Sequence, residues 1–107
     1  METITIRPLS ANRAWKGQRF KSDDYKKYEI DLGFILPRLT LPPAPYEVYY
    51  EFGVATKASD GDNCIKQFQD CLTHKYKFND NDIFKWTIIK KVVGKGNEYI
   101  KFEIKTL

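Results

Sequence analysis

The segment that most constrains the fold is YEVYYEFGV, residues 46 to 54. Its apolar side chains fall on every second residue, and glutamates, a tyrosine and a glycine lie between them. Because successive side chains of a β-strand point to opposite faces, this pattern predicts a strand with one face in the core.

Other segments have the signals of helices and strands. Ser22 followed by Asp23 and Asp24 is typical of a helix start, because serine accepts from free N–H groups and acidic residues favour that end of the helix dipole. Pro37 ends the helix, which is predicted over residues 23 to 36. A second helix is predicted from residue 63 to about 73, and strands are predicted over residues 2–7, 83–93 and 99–106.

The last two strands flank GKGN and are predicted to pair as a C-terminal β-hairpin. The order of elements is then strand, basic loop, helix, strand, helix, strand, strand. This order predicts an α+β fold in which helices pack on a small mixed β-sheet. A chain of 107 residues has room for one core, so residues 1 to 107 are predicted to form a single domain.

Charge and apolar content narrow the class of protein. The 18 Lys and Arg outnumber the 14 Asp and Glu, and the net charge of +4 favours nucleic acid or another polyanion as a partner. No apolar run could span a bilayer, and the first residues lack the apolar stretch of a signal peptide, so we expect no membrane partner and a cytoplasmic location. Cys64 and Cys71 would lie about 10.5 Å apart on one helix, too far for a disulfide.

The segment from residue 8 to 21 combines basic and aromatic residues without a regular period. We interpret it as a long loop that contacts DNA phosphates, since basic side chains neutralise the DNA backbone. An ordinary solvated basic surface is the alternative. The residues assigned to DNA binding are Asn12, Arg13, Lys16, Arg19 and Lys21.

The stretch SDGDNCIKQFQD, residues 59 to 70, carries the candidate chemistry. Asp60 and Asp62 lie in a strand-to-helix turn, and Gly61 between them lets the backbone bend. Two carboxylates there can converge on Mg²⁺, which prefers oxygen ligands. Lys66 lies one helical turn after Asp62, where its ammonium group would face a phosphate oxygen. Taken alone, Asp62 also fits a helix cap and Lys66 an ordinary surface ion pair.

A third carboxylate would strengthen the metal site, and Asp80 and Asp82 in FNDNDI are the candidates. The second helix is about 16 Å long at 1.5 Å per residue. Residues 74 to 79 can span up to about 20 Å, so the chain can run back along the helix. This return would bring Asp80 beside Asp60 and Asp62.

The run DGDNCIKQFQDCL followed by FNDNDI resembles the RusA-type Holliday-junction resolvases. Their motif is D-x-D-N-x-x-K, then a helix with Asp and Leu, then an acidic pair before an apolar strand. The resemblance implies that Asp60, Asp62 and Asp80 bind Mg²⁺, with Mn²⁺ as a substitute, and that these acids and Lys66 are catalytic. It also implies a homodimer that resolves four-way DNA junctions by paired symmetric nicks, in DNA recombination and repair, and a phage or prophage origin.

One departure from the family motif concerns the last acid. Asn79 precedes Asp80 where the family has two adjacent aspartates, and an alignment shifted by two residues would make Asp82 the third ligand. The same departure motivates an alternative, a catalytically inactive DNA-binding or partner-binding module of this fold. A further alternative is a nuclease without junction preference.

Overall fold

A computed structural model describes residues 1–17, 20–59 and 61–107, and one strand organises its main sheet. This strand, β4, is Tyr46–Val54, as the alternating pattern predicts. The other strands are β1 (Glu2–Ile4), β5 (Ile83–Val92) and β6 (Tyr99–Thr106), and the order in the sheet is β1-β6-β4-β5. β6 pairs antiparallel with β4 and β1, whereas β5 pairs parallel with β4. The predicted α+β class with a mixed sheet is confirmed.

The inner face of β4 carries the core. Val48, Tyr50 and Phe52 on this face are fully buried. The ring of Phe68 meets the rings of Tyr50, Phe52 and Phe102 edge-on, with centroids 5.3, 6.1 and 5.5 Å away. Such aromatic contacts stabilise the core beyond the apolar area they bury. Helix α3, Ile65–Tyr76, contributes Phe68 and so packs on this face of the sheet.

The first predicted helix is confirmed as α2, Asp23–Ile35. The Ser22 side chain accepts a hydrogen bond from the Tyr25 N–H, which is the capping bond that the sequence predicts. The buried side chains of α2 are Tyr25, Tyr28 and Leu32. Burial raises the pKa of Tyr28 well above its ordinary value, so its phenol stays neutral.

The second predicted helix is confirmed and runs further than expected. It begins with a 3₁₀ turn, Asp62–Cys64, and continues as α3 to Tyr76. The helix ends at Lys77, whose φ of 55° is left-handed, and the Phe78 N–H then donates to the Thr73 carbonyl. Cys64 and Cys71 are free thiols, as their spacing predicts, and both are buried.

The segment predicted as a long loop has regular structure instead. It forms a short helix, α1 (Ala11–Ala14), and two short antiparallel strands, β2 (Trp15–Lys16) and β3 (Phe20–Lys21). Gln18 and Arg19 lie outside the described residues. Elements of two to four residues are too short to show a period in the sequence, so the hydrophobic pattern missed them.

The two C-terminal strands are present, but they do not form the predicted hairpin. β4 lies between them and pairs with both. After β5 the chain passes the carboxyl end of β4, where the Val93 N–H donates to the Val54 carbonyl. Gly94 and Gly96 there have φ values of 88° and 93°, which favour glycine. Because a buried strand must pair its backbone groups, β4 takes a neighbour on each edge and separates β5 from β6.

The outer face of the sheet carries a buried carboxylate. Glu51 is 4% exposed and accepts hydrogen bonds from the hydroxyls of Tyr49 and Tyr99, and Lys91 Nζ lies 3.6 Å from it. The bond from Tyr49, followed by that from Tyr99, lowers the pKa of Glu51 below its usual value of 4.5. Gly53 makes room for the ring of Tyr99, because a Cβ at this position would lie 2.4 Å from it.

We expect Gly53→Ala to destabilise the protein by about 1–3 kcal/mol, the usual cost of overpacking a filled site. The added carbon would force the Tyr99 ring to move. Gly33→Ala in α2 is the matched control, because no atom lies within 4 Å of its added carbon and alanine favours a helix by up to about 1 kcal/mol. Urea denaturation measures both variants, and equal stabilities would contradict the tight contact at Gly53.

We expect Glu51→Gln to lower stability at pH 7 by about 1 kcal/mol, because two hydroxyls lose a charged acceptor. The folded-state pKa of Glu51 is depressed, so its contribution is present above the unfolded-state pKa and is lost as pH falls through the folded-state pKa. The difference in the free energy of unfolding between wild type and variant should therefore become smaller below about pH 4.5. Urea denaturation at pH 7 and at acidic pH measures this difference. A difference in stability that does not change with pH would refute the prediction.

Candidate functional site

The turn with the D-x-D motif lies beyond the carboxyl end of β4 and packs against β5. A Cβ on Gly61 would lie 3.2 Å from the Cβ of Lys90, so the backbone approaches β5 closely here. The φ and ψ of Gly61, −64° and −37°, are ordinary right-handed values. Gly61 therefore serves a close approach and not the sharp bend that we expected. Asp60 lies outside the described residues, and its position in the site stays a prediction.

Asp62 is exposed at the start of the 3₁₀ turn. No side chain caps this turn, and Cys64, which precedes α3, makes no side-chain cap either. Among residues 1–17, 20–59 and 61–107, no hydrogen bond or ion pair engages the Asp62 carboxylate. Helix capping, the simpler interpretation of Asp62, is thus not observed, and its oxygens are accessible to a hard cation.

Lys66 is turned away from the D-x-D motif. Its Nζ donates to Asp70 at 3.0 Å, one turn further along α3, and both side chains are partly exposed, at 73% and 40%. The surface pair anticipated as an alternative for Lys66 is therefore present. The lysine side chain is long and has several rotatable bonds, so this exposed pair holds it only weakly.

Asp80 lies beyond the carboxyl end of α3. It begins a 3₁₀ turn, Asp80–Asp82, in which the Asn79 side chain accepts from the Asn81 N–H. It lines a shallow depression with Thr73 and Lys77. Burial, and then the charge of Asp80, raises the pKa of Tyr50 on the central strand.

Within one chain, Asp62 and Asp80 are held apart by the length of α3. This helix has 12 residues and is about 18 Å long at 1.5 Å per residue. Distances along β5 give the same result. Gly61 lies beside Lys90, whereas Asp80 precedes Ile83. Ile83 and Lys90 are about 23 Å apart along the strand at 3.3 Å per residue. The described ranges contain no group of three or more His, Cys, Asp or Glu side chains placed to hold a metal ion.

A cleft of about 200 Å³ opens beside the D-x-D turn. Val54 and Ala55 at the end of β4 line it, together with Ser59 and Cys64 on either side of the motif. The opposite side comes from α1 and the residues before it, and consists of Arg7, Pro8, Ser10, Asn12 and Arg13. Two of the residues predicted to bind DNA, Asn12 and Arg13, are thus brought next to the motif from a distant part of the sequence.

Ion pairs orient part of this basic surface. Arg13 is paired with Asp24 at 3.1 Å, with both side chains about half exposed. Lys21 pairs with Glu29 at 2.8 Å, and its ammonium group also lies 5.0 Å from the centre of the Tyr25 ring. Because each pair contains one basic and one acidic group, these contacts reduce the positive charge that Arg13 and Lys21 offer to a polyanion.

Lys16 and Phe20 face each other across the small β2–β3 ribbon. Both are exposed, Phe20 at 71%. No ion pair engages Lys16 among the residues described, so its charge is available to a phosphate. Arg19 falls outside the described part of the ribbon, and its DNA contact stays a prediction.

Sequence reasoning missed two charged residues of the cleft, Arg7 and Glu98. Arg7 is the last residue of the first predicted strand, and Glu98 lies between the last two strands, so neither belongs to a local motif. The one available signal was topological, because residues at the ends of neighbouring strands meet at one edge of a sheet. The hairpin prediction obscured that signal by placing β6 beside β5.

No protein-family model matches the chain, and no curated protein matches it either. None of the helices in the described ranges is long and apolar enough to cross a membrane.

Lys66→Ala is expected to change the free energy of unfolding by less than about 0.5 kcal/mol, because the Lys66–Asp70 pair is exposed. Asp70→Ala is the matched variant and should behave alike. Thermal or urea denaturation of both checks this. A loss of 2 kcal/mol or more would mean that Lys66 has a structural role, and its use as a catalytic probe would then be unsound.

Proposed function

We propose that this protein is a Mg²⁺-dependent endodeoxyribonuclease of RusA type that cuts branched DNA, with four-way junctions as the substrate. The observation that supports it best is the placement of the D-x-D-N-x-x-K motif. The described part of its turn lies next to a cleft lined by Arg7, Asn12 and Arg13, so the exposed carboxylate of Asp62 is near basic groups suited to phosphate.

The donor groups of the turn suit Mg²⁺. Asp62 is exposed, and no partner in the described ranges engages its carboxylate. Asp60 and Asp62 would hold the ion, and two carboxylates leave most of its coordination sphere to water and phosphate oxygens. The ion, when bound, polarises the scissile phosphate and lowers the pKa of the attacking water.

The arginines of the cleft would bind the DNA backbone on either side of the cut. A guanidinium group donates two parallel hydrogen bonds to a phosphate, which fixes the position of the strand as well as attracting it. Arg13 is already oriented by Asp24, and Asn12 offers a neutral amide beside it. The exposed Lys16 and Phe20 extend this surface along the ribbon.

Lys66 would stabilise the negative charge that develops on the phosphate or on the leaving oxygen. To do so it must leave Asp70 and swing toward the turn, which costs little because the pair is exposed. Asp70 would thus be the partner of Lys66 in the absence of DNA.

A homodimer follows from the substrate. Resolution of a junction requires two symmetric cuts, and one chain contains one D-x-D-N-x-x-K motif. Two-fold symmetry supplies a second site with the same geometry. The basic surfaces of both copies would then contact the same junction.

Asp62→Asn is expected to abolish Mg²⁺-dependent nicking of a synthetic four-way junction while junction binding is retained, because the amide weakens the metal site but leaves the basic cleft intact. The resemblance predicts the same loss for Asp80→Asn, although Asp80 is distant within one chain, so the assembled enzyme would have to bring it to the site. Asp82→Asn in the same 3₁₀ turn separates the two candidate ligands, because it keeps activity if Asp80 is the third ligand and loses activity if Asp82 is. Full activity in both Asp62→Asn and Asp80→Asn would refute the mechanism.

The alternative function, an inactive DNA-binding module, is favoured by the separation of Asp62 and Asp80 in one chain. It predicts salt-dependent junction binding and no product at any Mg²⁺ concentration. A Mg²⁺ and Mn²⁺ titration with labelled junction separates the two functions. Equal cutting of duplex, flap and junction DNA would instead indicate a nuclease without junction preference.

A further inference from the structure

The outer edge of β5 is the longest unpaired strand edge in the described part of the chain. β5 has ten residues, Ile83–Val92, and lies last in the order β1-β6-β4-β5. Among the described residues it pairs with β4 alone, so the backbone N–H and C=O groups on its other side have no strand to bond. A long open edge is a template for another strand.

The side chains of β5 are unusually apolar for an edge. Phe84 is 63% exposed, Trp86 46% and Val92 55%. The indole N–H of Trp86 donates to Gln69 Oε1 at 2.8 Å, which fixes its ring at the edge of the sheet. Exposed aromatic side chains in a row mark an interaction surface more often than a solvated one.

We propose that β5 pairs with β5 of a second copy of this chain, antiparallel and with Thr87 on the two-fold axis. An axis perpendicular to the sheet keeps the two inner faces on the same side. Side chains alternate between the two faces along a strand, and directly opposite residues share a face. Opposite residues must therefore both have even numbers or both have odd numbers. The two four-stranded sheets would join into one continuous sheet, and the unpaired backbone groups of both edges would be satisfied.

Charge selects this register. With Thr87 on the axis, Trp86 lies opposite Ile88, and Lys85 lies opposite Ile89. No lysine then faces another lysine. The register with Ile88 on the axis has the same overlap but sets Lys85 directly against Lys91, and like charges in that position destabilise a pair.

The other lysines of β5 are already engaged within their own chain. Lys90 donates its ammonium hydrogens to the Lys57 carbonyl at 2.8 Å, and Lys91 lies 3.6 Å from Glu51. Lysines on edge strands usually prevent pairing. Here their charged ends are drawn away from the edge, and their apolar stems can cover the partner strand.

A competing apolar surface lies on α2, where Ile30 and Phe34 are 61% and 85% exposed. It offers no unpaired backbone groups, since the hydrogen bonds of a helix are internal. Its side chains do not define a pairing register with a second copy of the chain. It therefore serves as the control surface for β5.

The inference deepens the proposed function by naming the surface through which two copies meet, and it rests on that function for the need of a dimer. The strand geometry itself makes no use of nuclease activity. Oligomeric state and cross-linking consequently test the interface, whereas nicking tests the enzyme, and either one can fail without the other.

Thr87→Cys is expected to form a disulfide-linked dimer under mild oxidation of the full chain. Directly opposed residues in antiparallel strands have Cα atoms about 4.5–5.5 Å apart, within the range that a disulfide accepts. Lys85→Cys is the matched control, because its counterpart in the partner would lie about 14 Å away, four residues along the strand. Non-reducing electrophoresis measures the product; the native Cys64 and Cys71 are buried. Cross-linking of Thr87→Cys no greater than that of Lys85→Cys would overturn the proposal.

A second pair of variants tests the register without a cross-link. Ile89→Lys puts a lysine opposite Lys85 of the partner at both symmetry-related positions and should lose the dimer, whereas Ile89→Glu puts a carboxylate there and should keep it. Both add a charge at the same half-buried position, which lies opposite Glu51 on β4, so urea denaturation of each variant measures the cost to the fold separately. Phe34→Lys on α2 should leave the dimer mass unchanged. Sedimentation at one concentration reports the masses, and a monomeric wild type or equal masses for the two Ile89 variants would refute the pairing.

Discussion

The pairing of β4 on both of its edges is the interaction on which the rest of the structure depends. Its inner side chains form the core with Phe68 of α3, and its backbone bonds to β5 on one side and β6 on the other. A strand buried in this way cannot leave backbone groups unpaired. The chain therefore passes from β5 across the end of β4 to reach β6, and β5 remains at the open edge.

This arrangement also decides where charged groups meet. The carboxyl end of β4 gathers the D-x-D turn, the residues before α1, and the link between β5 and β6, which together line one cleft. The amino end is a full helix length away, and the Asp80–Asp82 turn is there. Cationic and acidic groups are consequently adjacent at one end of the sheet, while Asp80, the third acid that the resemblance predicts, lies at the other end.

The principal ion pairs of the candidate site are exposed, and they contrast with the carboxylate of Glu51. Lys66–Asp70 and Arg13–Asp24 are partly in water, so each contributes little to stability and can exchange its partner for a phosphate. Glu51 is almost fully buried and has two hydroxyls and an ammonium group around it. The polar contacts of Glu51 on the outer face are thus fixed by burial, whereas the ion pairs near the cleft can rearrange.

By itself, the sequence determined the elements whose periodic pattern extends over many residues or whose first and last residues carry a clear signal. Three local patterns are enough to predict their elements, because burial and backbone hydrogen bonding follow from them directly. They are the alternation in Tyr46–Val54, the Ser22 cap of α2 and the apolar stripe of α3. It also supplied the D-x-D-N-x-x-K motif. Only the tertiary structure decided the order of strands, the small ribbon at Trp15–Lys16 and Phe20–Lys21, the entry of Arg7 into the cleft, and the distance from Asp62 to Asp80. Periodicity states which face of an element is buried, but the neighbour across a sheet edge depends on backbone groups of segments far apart in the chain.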